Sequence, residues 1–109
     1  MEAITYTGEG WKIMKEFEGW KIGYLRYNER FSKFAEMERH LETDEVFVLL
    51  EGTAILYVES ETVEMKKGTL YTASKGEWHH IIVSKDATVL VVENSNTSKV
   101  NTEKRFMEC

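Results

Sequence analysis

The sequence predicts an all-β domain, a sandwich or barrel of short strands. Turn signals recur at short intervals: Gly8-Glu9-Gly10, Glu18-Gly19, Glu51-Gly52, Glu59-Ser60-Glu61, Lys66-Lys67-Gly68, Ser74-Lys75-Gly76 and Ser84-Lys85-Asp86. The segments between them are brief and many are rich in Val, Ile, Tyr, Trp and Phe, the residues that suit a pleated, half-buried surface. Proline is absent, so every turn must rely on Gly, Asn, Asp and Ser.

Two aromatic-rich strands come first, Trp11–Phe17 and Trp20–Asn28. Glu29–Glu38 has the Glu, Arg, Lys, Met and Ala content of a helix, but its end reads as extended and enters a strand over Phe34–Leu41. Glu45–Leu50 follows, and its run Val46-Phe47-Val48-Leu49-Leu50 is apolar on both faces, the mark of a strand covered on both sides. The remaining strands are Thr53–Val58, Thr62–Met65, Leu70–Thr72, His79–Val83 and Thr88–Glu93. From Asn94 to Cys109 the chain is polar apart from Val100, Phe106 and Met107, and reads as a strap or frayed end. The expected organisation is one domain over residues 1–109, with a core barrel at about 11–93 and a polar tail at 94–109.

Composition narrows the function. At 109 residues the chain supports one modest core, and 42% apolar with 12% aromatic residues makes it globular. A net charge of −5 with scattered Lys and Arg argues against a nucleic-acid surface and against membrane attachment. Met1 is followed by the acidic Glu2, with no basic and apolar leader, so a cytoplasmic location is expected. The single cysteine, Cys109, has no partner for an internal disulfide.

Strand parity singles out a site. Successive strand residues alternate faces, so Phe34, Glu36, Glu38 and His40 share one side of their strand. Glu45 is in phase with Phe47 and Leu49, and His79 with Ile81 and Val83. A carboxylate and an imidazole in phase with apolar residues need partners, because an unpaired buried charge is costly. They satisfy one another, or they hold a metal. His80, facing away from His79, reads as a surface or interface histidine.

These residues resemble the cupin superfamily of small double-stranded β-helix (jelly-roll) barrels, and a small RmlC-like member in particular. The first cupin motif has two histidines one residue apart, a glutamate and then a glycine. The matching stretch runs Glu38-Arg39-His40-Leu41-Glu42-Thr43-Asp44-Glu45, with Gly52 beyond it. The second motif corresponds to Gly68, then Ser74-Lys75-Gly76, then His79 and Val83. Three positions depart from it: Glu38 replaces the first histidine, Ser74 a proline and Val83 an asparagine.

The resemblance implies a divalent metal, Mn²⁺, Fe²⁺, Ni²⁺ or Zn²⁺, on Glu38, His40, Glu45 and His79. Glutamate at position 38 can ligate, though its presence is also a way in which cupins lose their metal. The resemblance further implies that the strand carrying Tyr24 and Arg26 lines a cavity wall or lies in a dimer interface, and that Trp78 stands at the barrel mouth, with Tyr24, Arg26 and Trp78 as contacts for a small-molecule ligand. A homodimer is expected, as is common among small cupins. Two functions are implied: a metal-dependent enzyme of oxygenase, isomerase or lyase type, or a non-catalytic or metal-free site for a sugar or organic acid. Catalytic residues are left unassigned.

Overall fold

The computed structural model describes residues 1–33, 36–59, 61–97 and 101–106. Among the described residues ten strands run in order: β1 Trp11–Phe17, β2 Trp20–Arg26, β3 Glu36–His40, β4 Glu45–Glu51, β5 Ala54–Val58, β6 Glu61–Glu64, β7 Leu70–Ala73, β8 His79–Val83, β9 Thr88–Asn94 and β10 Thr102–Phe106. They form two five-stranded antiparallel sheets, ordered β1-β2-β9-β4-β7 and β10-β3-β8-β5-β6. The fold is the all-β jelly-roll barrel expected from the sequence. No helix among the described residues is long and apolar enough to cross a membrane.

The register sorts the inward residues into layers. In the first sheet Gly23, Val91, Phe47 and Tyr71 stand opposite one another on β2, β9, β4 and β7, and Leu25, Val89 and Leu49 form the next row. From the facing sheet Leu56 and Ile81 meet as partners, as do Ala54 and Val83. Phe47, Val89 and Val91 are the largest fully buried side chains, so this is the packed core. One row toward the end of the first sheet, Lys21, Glu93 and Glu45 take the equivalent places. The core therefore gives way to a polar layer at that end.

Local chemistry explains the departures from the sequence reading. β2 stops at Arg26 rather than Asn28 because Asn28 caps a 3-10 turn at Glu29–Phe31, its side-chain oxygen accepting from Phe31 N at 3.3 Å. The helix former content of Glu29–Glu38 yields only that turn. Phe34 and Ala35, the expected start of the third strand, lie outside the described residues. The polar tail contributes β10, which pairs with β3 from Thr102 opposite His40 to Phe106 opposite Glu36. Val46 and Val48 on the outer face of β4 are half-buried and Leu50 is exposed, so only the inner face of that strand is fully covered.

Candidate metal and ligand site

Two rows of the second sheet face the polar layer of the first. Thr102 and His40 are partners on β10 and β3, while Lys104, Glu38 and His79 are partners across β10, β3 and β8. Together with Lys21, Glu93 and Glu45 they line a cavity of about 630 Å³ floored by Phe47 and Ile81. That volume suits a small organic molecule. Exposure rises outward: His40, Glu45, His79 and Glu93 are buried, Glu38 is partly exposed and Arg30 more so.

The donor atoms converge. Glu45 Oε2 lies 2.5 Å from His40 Nε2 and 3.5 Å from His79 Nε2, and Glu38 Oε1 lies 3.5 Å from His40 Nε2. The imidazole rings of His40 and His79 are 5.4 Å apart, and Phe47 meets the His79 ring edge-on at 5.7 Å. Glu38, His40 and His79 offer atoms all within 4.8 Å of one another, and so do His40, Glu45 and Glu93.

Each ring is held from its far side. His79 Nδ1–H donates to the Glu77 carbonyl at 3.3 Å, which turns Nε2 toward Glu45. His40 Nδ1 lies 2.9 Å from Thr102 Oγ1, and donation to that hydroxyl orients Nε2 in the same way. Gly76 N donates to the His40 carbonyl at 2.8 Å, tying the second motif's turn to the first motif's strand.

Charge is unevenly compensated. Burial opposes ionisation of Glu45, yet the hydrogen bonds and charge of His40 and His79 outweigh it and hold its carboxyl down at about 2. Burial likewise pulls the two histidines down, but Glu45 outweighs it and both are raised. Burial and then the charge of Glu45 push Glu93 up to about 7. His40 Nε2 and Glu45 Oε2, 2.5 Å apart and both buried, form the tightest ion pair of the cluster. Two imidazoles and carboxylates converging in the cavity fit a divalent transition metal.

Residues 32–93, more than half of the chain, match the family model of the cupin domain. The chain belongs to the cupin family. No curated protein matches this cupin significantly in sequence. Among solved structures it is similar to a cupin-2 domain containing protein of Shewanella frigidimarina, with TM-score 0.67, 19% identity and coverage of 82% of this chain and 84% of the other. It is also similar to Streptomyces Pac13 in complex with uridine, with TM-score 0.72, 12% identity and coverage of 94% and 85%. Pac13 is described as a nucleoside dehydratase. KdgF from a Halomonas species gives TM-score 0.66 at 14% identity, covering 83% and 81%. At these identities the likeness shows the fold.

The structure of this cupin brings Glu38, His40, Glu45 and His79 to one cavity. It does not bring Tyr24, Arg26 or Trp78 there. On β2 the inward residues are Lys21, Gly23 and Leu25, so the aromatic face with Tyr24 and Arg26 turns outward. Gly23 sets this parity, because the Trp11 ring lies over it where a side chain would stand. Tyr24 lines a separate groove with Ile4, Met14 and Ile22. Arg26 Nη1 donates to the Tyr6 carbonyl at 3.4 Å. Trp78 instead stacks with Arg39 and Arg105, whose guanidinium carbons lie 4.6 and 4.5 Å from its ring centroid. His80 is buried rather than at the surface, with Nε2 3.1 Å from the Lys33 carbonyl, because the chain following the 3-10 turn covers it.

Sequence reasoning missed Glu93, Lys21 and Thr102. Glu93 is in phase with Val89 and Val91, and Lys21 with Gly23 and Leu25, the same signal that exposed Glu45. Thr102 carried no such signal, since its strand is polar up to the terminal Phe106.

Proposed function

We propose that the cavity holds a divalent transition metal on Glu38, His40, Glu45 and His79 and takes a small organic molecule beside it. The observation that carries this reading is the convergence of donor atoms: Glu38, His40 and His79 offer atoms within 4.8 Å of one another, and Glu45 Oε2 lies 2.5 Å from His40 Nε2 and 3.5 Å from His79 Nε2. Two imidazoles and two carboxylates converging in this way suit Mn²⁺, Fe²⁺, Ni²⁺ or Zn²⁺. When bound, a metal here supplies Lewis-acid or dioxygen chemistry of the oxygenase, isomerase or lyase type. The chain's own part is to orient the two imidazoles, exclude water with Phe47 and offer Glu93 as a carboxyl that exchanges its proton near neutrality. Pac13, a nucleoside dehydratase, supports a lyase-type reaction on a neutral substrate as the first to try.

A second reading, a metal-free binding site for a sugar or organic acid, is favoured by one observation. Arg30 Nη2 donates to Glu38 Oε2 at 2.8 Å and so already engages a carboxylate of the ligand set. Calorimetric titration of each metal into chelator-treated protein separates the two. Binding near one equivalent, lost in His40→Ala and His79→Ala, supports the metal site; no uptake of any of the four favours the metal-free reading.

A homodimer is also proposed. On the outer face of the first sheet Tyr24, Leu90, Val48 and Leu70 are register partners, flanked by Ile22, Val92 and Val46. This apolar band supports burial against a second copy. Light scattering at micromolar concentration would show twice the monomer mass, and a monomer would refute it.

A further inference from the structure

Beside the metal-type donors the cavity has a second polar station. Lys21 and Glu93 are register partners on β2 and β9, and both are buried. Their charged atoms stand 3.6 Å apart, longer than a hydrogen bond. Lys21 Nζ donates to the Thr97 carbonyl at 2.9 Å, which leaves ammonium protons over. Thr97 Oγ1 is buried and has no hydrogen-bond partner. All three residues line the cavity. Burying an ammonium, a carboxyl and an unmatched hydroxyl together is unfavourable unless something entering the cavity completes their hydrogen bonds.

We infer that Lys21, Glu93 and Thr97 form the recognition end of the cavity and grip a vicinal diol of a neutral sugar or nucleoside. An ammonium donates to hydroxyl oxygens, a carboxylate accepts hydroxyl protons, and a threonine hydroxyl does either, which is the complement of two adjacent hydroxyls. The occupant is neutral because Arg30 answers Glu38, the two histidines answer Glu45 and Lys21 answers Glu93, so the cavity carries no excess of either charge to hold an ionic ligand. Glu93 shares with His40 and Glu45 a group of donor atoms within 4.8 Å of one another, so a molecule held by its diol has its next atoms against the metal-type donors.

The inference rests on the proposal that the cavity takes a small molecule, and its test reads diol binding and metal uptake separately. Ribose, xylose, glucose, uridine and 2′,3′-dideoxyuridine are titrated into the whole protein, metal-loaded and metal-stripped, and followed by ligand-observed NMR and calorimetry. At least one diol should bind. If it is uridine, the dideoxy compound should bind about tenfold more weakly or worse. Lys21→Met and Thr97→Val should each weaken diol binding about tenfold while taking up metal as the parent does. Thr97→Val removes only a hydroxyl and keeps the test open if Lys21→Met fails to fold. The inference is overturned if no diol of the panel binds, if the dideoxy compound binds as well as uridine, or if the folded variants bind unchanged. Metal uptake without diol binding overturns this inference alone. Diol binding without metal uptake supports it and overturns the metal reading alone.

Discussion

Glu45 and Glu93 stand directly opposite each other on β4 and β9, both buried and both turned into the same cavity. Two like charges so placed cannot both ionise cheaply, and the environment divides them. The histidines keep Glu45 ionised, with its carboxyl held at about 2, while burial and Glu45 together push Glu93 up to about 7.

The stability of the metal-free protein follows from that division. Between about 4.5 and 7 the folded chain keeps a proton on Glu93 that the unfolded chain releases, so stability falls as pH rises. His40 and His79, both raised, add stability below their unfolded value that is lost above it. Below 4.5 the opposite sign applies, because Glu45 must be protonated on unfolding and its contribution is lost toward about 2. Thermal melts of chelator-treated protein should give the highest Tm near pH 4.5–5 and a progressive drop to pH 8. A Tm that climbs across that range would contradict these assignments.

Thr102 should matter out of proportion to its contacts. Its hydroxyl fixes the ring of His40 from behind at 2.9 Å. Thr102→Val should weaken metal binding by roughly 10–100-fold, while costing only about 1 kcal/mol of stability. Thr102→Ser should restore the affinity. Equal affinities across the three proteins would mean that β10 does not position the site.

Trp78 offers a control of the opposite kind. It stacks with Arg39 and Arg105, and so links β3 to β10 rather than lining the cavity. Trp78→Ala should lower stability by about 1–2 kcal/mol through the two cation–π contacts, with metal uptake unchanged. Loss of uptake in a well-folded variant would place Trp78 in the site after all.

The turn after β4 allows little change. Gly52 has φ of 73°, and a Cβ there would stand 2.6 Å from Ala87 Cα. Backbone cannot yield as a flexible side chain would, so Gly52→Ala should cost more than about 2 kcal/mol. A Tm within a degree or two of the parent would show that the turn can rearrange.

Much of this was legible in the residues, for identifiable reasons. Apolar periodicity and turn glycines located β1, β2 and β4 to β9, and the spacing of Glu38, His40, Glu45 and His79 located the site. β10 was hidden because Thr102-Glu103-Lys104-Arg105 has no apolar alternation: its inward residues, Thr102 and Lys104, face the polar cavity rather than the apolar core. Tyr24 and Arg26 were expected in the wall from the family resemblance of their strand, whereas Gly23 under Trp11 decides which face of β2 turns in. Lys21 and Glu93 were overlooked as charged residues at strand ends, yet their phase with Leu25 and Val91 marked them as inward.

The most direct test of the central claim is the metal content of protein purified without chelator or metal-affinity resin, measured by elemental mass spectrometry. About one transition-metal ion per chain, absent from His40→Ala and His79→Ala, is the predicted result. A metal-free protein that also fails to take up added Mn²⁺, Fe²⁺, Ni²⁺ or Zn²⁺ would contradict it, and would leave the Glu38, His40, Glu45 and His79 cluster as a charge network for a metal-free ligand.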